Sequence, residues 1–400
     1  MMHKKFHRKV LKNGMTFIFE ERDLPIVSIG IAVRHGGVNE LLSERGISHF
    51  IEHMLYKGTK SRSSKQISQE IEKNGGVMNG FTDEQITAFW CKIPSDKLNI
   101  ALNVLADMVK NPLFDAEEVE KERKVIFEEM EMYHDDPSHY VFDKIQSFLY
   151  EKPFGAPLIG TRESMNSIDR KKMLKKFREV YKPKNMILCV VGQADFAKLV
   201  KFAEKSFKKE KGKIKKQKIT LKNDSKTETR KGINQANMVL AFHSPLSVDK
   251  RIYAAKVLIA IMARGMSSRL FREIRDKRNM AYSVFGDVTA NKNFSYSYIY
   301  VGAMKKNLEK IKNIILDEFK KISLKLEKRE LDATKNQLIG NYRISMENSE
   351  EQMAHLLLSE VDGKTKEFYE FEKNIRDVKM KDVKNLAKIR KYSFFSLVPE

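Results

Sequence analysis

Two short runs dense in apolar residues, at 15–20 and 26–34, are bounded by charge and predict strands. At 46–56 the period changes. With about 3.6 residues per turn, Ile47, Phe50, Ile51, Met54 and Leu55 line up as one apolar stripe, and His49, Glu52, His53 and Tyr56 fall on the opposite face. Gly58 stands where such a helix would end. The pattern then predicts a further helix, two strands within 77–93, a helix over 95–109 and a long charged helix centred near Val125. Another helix and a closing strand at 186–191 follow. The second half runs through a similar order: a strand at 237–243, a helix over 252–263, strands at 282–288 and 294–301, and a helix over 306–322. A long helix near Leu338, a further helix and a strand at 393–398 complete it.

Several strands are adjacent and hairpin-like, which predicts an α+β protein of two similar α/β-sandwich domains. Each is expected to be a mainly antiparallel sheet with helices packed on it. A chain of 400 residues exceeds one ordinary core and suits two. The clearest shift in composition lies near 208–232, dense in Lys, Glu, Thr and Ser. We therefore expect domains at 1–208 and 233–400, with 209–232 as a charged linker.

The balance of 75 Lys+Arg against 53 Asp+Glu leaves a formal charge of +22. Such a charge attracts polyanions, acidic peptides or anionic lipid heads. The lysines are scattered, however, and no zinc-finger spacing, RNA-binding aromatic signature or helix-turn-helix pattern accompanies them, so nucleic acid is not expected as a partner. Cys91 and Cys189 sit far apart in apolar runs and are expected to be buried free thiols. The basic stretch 1–12 has no apolar core, and the run at 25–33 is too short to span a bilayer. A soluble, cytoplasmic protein with no membrane partner is expected.

Two imidazoles one turn apart, His49 and His53, can reach one tetrahedral cation. Glu52 on the same face can hold a water at that cation and take its proton. A catalytic zinc wants a third protein ligand and one open position. The helix beginning near Asp115 offers one. Asp115 and Glu118 mark its start as a capping box, with Phe114 and Val119 as a staple. Glu122 and Glu129 share one of its faces, but composition leaves the choice open among Glu120, Glu122, Glu128, Glu129 and Glu131.

His49-Phe50-Ile51-Glu52-His53 is the inverted form of the His-Glu-x-x-His zinc motif. With it stand Leu11-Lys12-Asn13-Gly14-Met15, the run from Gly46 to Thr59, Gly75-Gly76-Val77-Met78-Asn79, and Glu122-Arg123-Lys124-Val125-Ile126-Phe127-Glu128-Glu129. On these motifs the chain resembles the pitrilysin, insulinase and mitochondrial processing peptidase family, the inverzincins, as a short member, over nearly its whole length. The resemblance implies one Zn²⁺ per chain, held by His49, His53 and Glu129, with Glu122 supporting the site and Glu52 as general base. It implies that Arg275 and Tyr282 form a substrate-binding pair able to steady an oxyanion. It implies that Asn79, Gly80 and Phe81 lie on a substrate-binding edge strand. Gly80 departs from the pattern, standing where Ala is common, and a glycine loosens a strand. The resemblance further implies a homodimer, or a heterodimer with a related chain, closing as a clamshell on peptides or unfolded segments.

The activity so implied is that of a zinc-dependent endopeptidase. The alternative is a non-catalytic scaffold or partner subunit of a processing-peptidase-like complex. His3 and His7 are read as part of a frayed terminus, His134 and His139 as flanking a turn, and His243 and His355 as isolated; none is assigned to the metal.

Overall fold

A computed structural model describes residues 6–400, so His3 lies outside the described residues. The chain runs β1 (Phe6–Val10), β2 (Thr16–Glu21), β3 (Ile26–Val33), α1 (Ile47–Leu55), α2 (Ser64–Glu72), β4 (Val77–Thr82) and β5 (Thr87–Pro94). It continues through α3 (Leu98–Lys110), α4 (Ala116–Asp135), α5 (Pro137–Leu149), α6 (Arg162–Ser167), α7 (Arg170–Val180), β6 (Met186–Gly192) and α8 (Phe196–Ser206). Next come β7 (Ser225–Arg230), β8 (Ala236–His243), α9 (Ile252–Ala263), β9 (Ala281–Ala290), β10 (Ser295–Ala303), α10 (Leu308–Leu324), α11 (Lys328–Ser345) and α12 (Ser349–Val361). Three short helices and β11 (Ser393–Pro399) close the chain.

These elements form two compact units. The first takes residues up to Met130, Leu158–Lys218 and Ser345–Phe368, and the second takes Glu131–Pro157, Ile219–Ile344 and Tyr369–Glu400. In the first unit the sheet order is β1-β2-β6-β3-β5-β4. Only β2 and β6 pair in parallel; the other neighbours are antiparallel. Phe17, Phe19, Ile29, Ile31 and Phe89 are buried along its strands. α12, from the second half of the sequence, lies on β3 and β6. Ser28 Oγ meets Ser349 Oγ at 2.9 Å, and Glu360 accepts from Arg8 and Arg34.

In the second unit the order is β7-β11-β8-β10-β9, with β7 parallel to β11 and the remainder antiparallel. Leu240, Leu258, Ile299, Ile315 and Phe319 belong to its core. α5, from the first half of the sequence, packs on β8 and β11, and its Tyr140 hydroxyl donates to Glu228 of β7 at 2.7 Å. Each unit thus takes in a helix that the linear sequence assigns to the other half.

Two features differ from the sequence reading. The charged segment 209–232 carries β7, a polar strand whose side chains Ser-Lys-Thr-Glu-Thr-Arg give no apolar signal. The segment from Phe6 to Val10, which contains His7, is not frayed. It forms β1, pairs with β2, and places the His7 ring 4.6 Å from that of Phe196. β1 is an edge strand exposing four of its five positions, so alternation is missing from its sequence. Cys91 and Cys189 are free and buried, as expected, and burial pushes the Cys91 thiol up to about 12. No helix among the described residues is long and apolar enough to cross a membrane.

Candidate metal centre

α1 forms where the apolar stripe predicted it. Ile47, Phe50, Ile51, Met54 and Leu55 are all buried. Its start is fixed by a buried carboxylate rather than by a Ser or Asp cap. Glu40 accepts from Gly46 N–H at 2.9 Å and Ser48 N–H at 2.8 Å, meeting donors that a helix N-terminus leaves unpaired. Arg45 stands 3.7 Å from Glu40 and bonds Glu84 at 2.9 Å, which balances the buried charge. Gly46 turns the chain into the helix at φ +92°, and a Cβ there would lie 2.4 Å from Ile159 O. Only glycine meets both conditions.

α4 begins where the sequence implies, with the Asp115 half of the expected capping box, while the Glu118 carboxylate accepts from Lys121 instead. Asp115 Oδ1 accepts from the N–H groups of Glu117 and Glu118, and Phe114 and Val119 are buried. Arg123 then ties the helix down. Its guanidinium bonds the carbonyls of Met165 and of Ile168, the latter at 2.9 Å, and lies over the Phe50 ring of α1 at 5.3 Å. Arg123 stands in a quoted motif, yet nothing in its sequence context marked it as the residue that seats α4 against α1.

With both helices placed, Nε2 of His53 lies 3.3 Å from Nε2 of His49. Oε2 of Glu129 lies 3.6 Å from each. Donor atoms bonded at roughly 2.0–2.2 Å to one tetrahedral ion stand about 3.3–3.6 Å apart, so these separations fit a single cation. Glu120, Glu128 and Glu131 are exposed, which narrows the five acids of α4 to Glu122 and Glu129. Glu122 turns to the far side of the ring, where its Oε2 lies 3.1 Å from His53 Nδ1, and its other oxygen holds Lys57. With the proton on Nδ1, His53 keeps Nε2 free for a metal.

The electrostatics differ between the two imidazoles. Burial, with His53 as a neighbour, lowers His49 to about 4, so its imidazole is neutral at ordinary pH. Burial also disfavours charge on His53, but the Glu122 bond and the surrounding carboxylates outweigh it and raise its pKa. Burial likewise opposes ionisation of Glu122, yet His53 and Lys57 prevail and lower its pKa.

Glu52 is 9% exposed, on the same face of α1. Its Oε2 accepts from the Thr82 hydroxyl of β4 at 2.7 Å. Burial raises its pKa against the opposing effects of Thr82 and His53, the direction that strengthens a carboxylate as a base. Of the expected edge-strand residues, Gly80 shares the Thr82 face of β4 and lies against Glu52. Asn79 and Phe81 alternate to the other face, and Asn79 Oδ1 accepts from Gly80 N–H at 2.8 Å. Sequence reasoning missed Thr82 and Lys57; the spacing His53-x₃-Lys57 was the available signal for the lysine, and nothing local marked Thr82, which comes from β4.

Arg275 and Tyr282 belong to the second unit and are brought together there, the guanidinium 5.9 Å from the Tyr282 ring centre. Arg275 lies in a π-helical turn, Phe271–Asp276, and Tyr282 is 72% exposed on β9, so it is no core residue.

The family model for the insulinases (peptidase family M16) matches residues 17–162, and that for the peptidase M16 inactive domain matches residues 167–338. An uncharacterised zinc protease of Rickettsia felis is 31% identical over 350 residues, 86% of this chain and 85% of that one. The uncharacterised zinc protease YmxG of Bacillus subtilis is 29% identical over 391 residues, covering 95% and 94%. Among solved structures, a protease from Helicobacter pylori superposes with a TM-score of 0.91 at 21% identity, covering 99% of each chain. A chain of Complex III2 from Candida albicans does so with a TM-score of 0.87 at 17% identity, covering 98% of this chain and 95% of that one. These likenesses to solved structures concern the fold alone. The chain belongs to the insulinase family, peptidase family M16.

Proposed function

We propose that this protein is a zinc-dependent endopeptidase acting on peptides or unfolded segments. The observation that carries the reading is the set of separations among His49, His53 and Glu129, all matching the edges of one tetrahedral coordination shell. His49, His53 and Glu129 would hold one Zn²⁺ per chain. Zinc, when bound, supplies Lewis acidity at the scissile carbonyl and acidifies water.

The chain's own residues do the rest. Glu122 and Lys57 fix the ring of His53. Glu52 takes the proton of the attacking water and returns it to the leaving amine, as a buried carboxylate of raised pKa can. Arg275 and Tyr282 contribute the donors that steady the developing oxyanion. β4, the terminal strand of its sheet, offers an edge for backbone pairing with an extended substrate. In this reading the protein works as a pair of related chains that encloses its substrate.

The test is Glu52→Gln. The variant should keep stoichiometric zinc and lose cleavage of unstructured peptides; cleavage at the wild-type rate removes Glu52 as the base. A second reading, a non-catalytic partner subunit, draws on the match of 167–338 to a domain named inactive. Chelator-insensitive behaviour and no hydrolysis across a mixed peptide library would favour it.

A further inference from the structure

Tyr56 takes no part in holding the metal, yet it stands one turn after Glu52 on the same face of α1. Its ring lies 6.0 Å from that of Phe89 on β5. Its hydroxyl is buried and has no hydrogen-bond partner among the described residues. A buried hydroxyl in that condition needs a reason.

The reason lies over Gly80. A Cβ at position 80 would meet Tyr56 Oη at 2.7 Å, Glu52 Oε1 at 2.9 Å and the Ala88 carbonyl oxygen at 3.0 Å. No side chain fits there without displacing one of these. The hydroxyl and the carboxylate oxygen therefore flank one small space that exists because residue 80 is glycine. Their separation cannot exceed the sum of the first two distances. That is within the reach of a single bridging water, which spans up to about 6 Å with two O–H···O bonds. The oxygen in question is the one Thr82 leaves free, since Thr82 holds Oε2.

We propose that Tyr56 is a positioning residue for Glu52, its hydroxyl donating to Glu52 Oε1 directly or through one water, and that Gly80 keeps open the space this requires. The inference rests on the proton-transfer role proposed for Glu52. With both oxygens held, the carboxylate cannot rotate about its last torsion, and its orientation toward the attacking water is set before substrate arrives. Gly80 then has a role besides loosening an edge strand: it trades a side chain for a second donor on Glu52.

The test combines Tyr56→Phe, Gly80→Ala and the double variant, each assayed for zinc content, thermal stability and peptide cleavage. Tyr56→Phe should bind zinc as the wild type does, leave KM unchanged and lower kcat about 10-fold or more, the range seen when outer partners of a metal site are lost. Unchanged kcat overturns the positioning role. Gly80→Ala should lower Tm in the wild-type background, and lower it less in the Tyr56→Phe background; equal drops overturn the shared space. Crystal structures of wild type and Tyr56→Phe give a readout free of activity. Glu52 Oε1 bonded to Tyr56, directly or through an ordered water, supports the proposal, and Glu52 in the same orientation without that contact sinks it. Should the wild-type protein cleave no peptide, the peptidase reading fails, and these two structures alone decide the role of Tyr56.

Discussion

Replacing Glu122 by glutamine probes how the proposed zinc site would be tuned from outside His49, His53 and Glu129. Glu122 is 5% exposed and uses both oxygens, one toward His53 Nδ1 and one toward Lys57. The amide can sit two ways. With its nitrogen toward His53, the ring must accept at Nδ1 and carry its proton on Nε2. That proton would then point at His49 Nε2, 3.3 Å away, and would block a metal. With its oxygen toward His53, the ligand tautomer survives, but a charge-assisted bond becomes a neutral one. The loss is about 1–1.5 kcal/mol, or roughly tenfold in zinc Kd. The amide nitrogen then faces Lys57, whose side chain is 29% exposed and can turn to water, so little is added. Glu122→Leu removes both bonds and should approach 100-fold, the upper end for such partners. Competition with a chromogenic chelator at fixed pH measures both. Adding Lys57→Met to Glu122→Gln should therefore change the affinity little further, because Lys57 is already free to face water in the single variant. Zinc affinities within twofold of wild type in both single variants would refute the argument that Glu122 sets the His53 tautomer.

Other predictions concern the scaffold and the metal. Gly46→Ala meets both a left-handed φ and a contact with Ile159 O at 2.4 Å; it should cost roughly 3 kcal/mol or more, visible in urea unfolding, and reduce zinc retention because α1 loses its start. Asp107 is buried, which opposes its ionisation, but bonds from Ser61, Thr59, Asn111 and Arg62 outweigh this and hold its carboxyl at about 2. The unfolded chain thus binds the proton first. The stability this gives is full above about pH 4 and is lost as pH falls through about 2, and it amounts to roughly 2 kcal/mol. Asp107→Asn should lose about that much at pH 7 and flatten the acid limb of the stability–pH curve. Chelation should abolish peptide cleavage and lower Tm, both restored by stoichiometric zinc, because a ligand bound only to the folded state adds stability by mass action.

How much of this was legible in the sequence depends on the range of the signal. α1 announced itself because its apolar stripe, its polar face and the glycine after it all lie within thirteen residues. The strands at 26–33 and 236–243 were equally plain, because burial on both faces leaves a largely apolar run. β1 and β7 were invisible for the opposite reason: each is an edge strand whose residues are mostly polar and exposed, so its pairing comes from the neighbour's free backbone rather than from its own side chains. The exchange of α5 and α12 between the units is a third kind of miss. An amphipathic helix states that one face must be covered, not which sheet will cover it, and the partners Ser28 and Ser349 are separated by 321 positions.

The site divides in the same way. His49 and His53 follow from spacing on one helix, but Glu129 was one acid among five until the seating of α4 against α1 was known. That seating depends on Arg123 reaching two carbonyls near the end of α6, a contact that no local pattern encodes. The departure at Gly80 carried the opposite lesson. As a strand residue it reads as a weakness. Beside Glu52 Oε1 and Tyr56 Oη it is the residue whose missing side chain lets two oxygens share one space. A substitution that is unfavourable for its own element can therefore mark where another element's chemistry has been accommodated. Such departures direct attention to the atoms that would collide if the usual residue were restored.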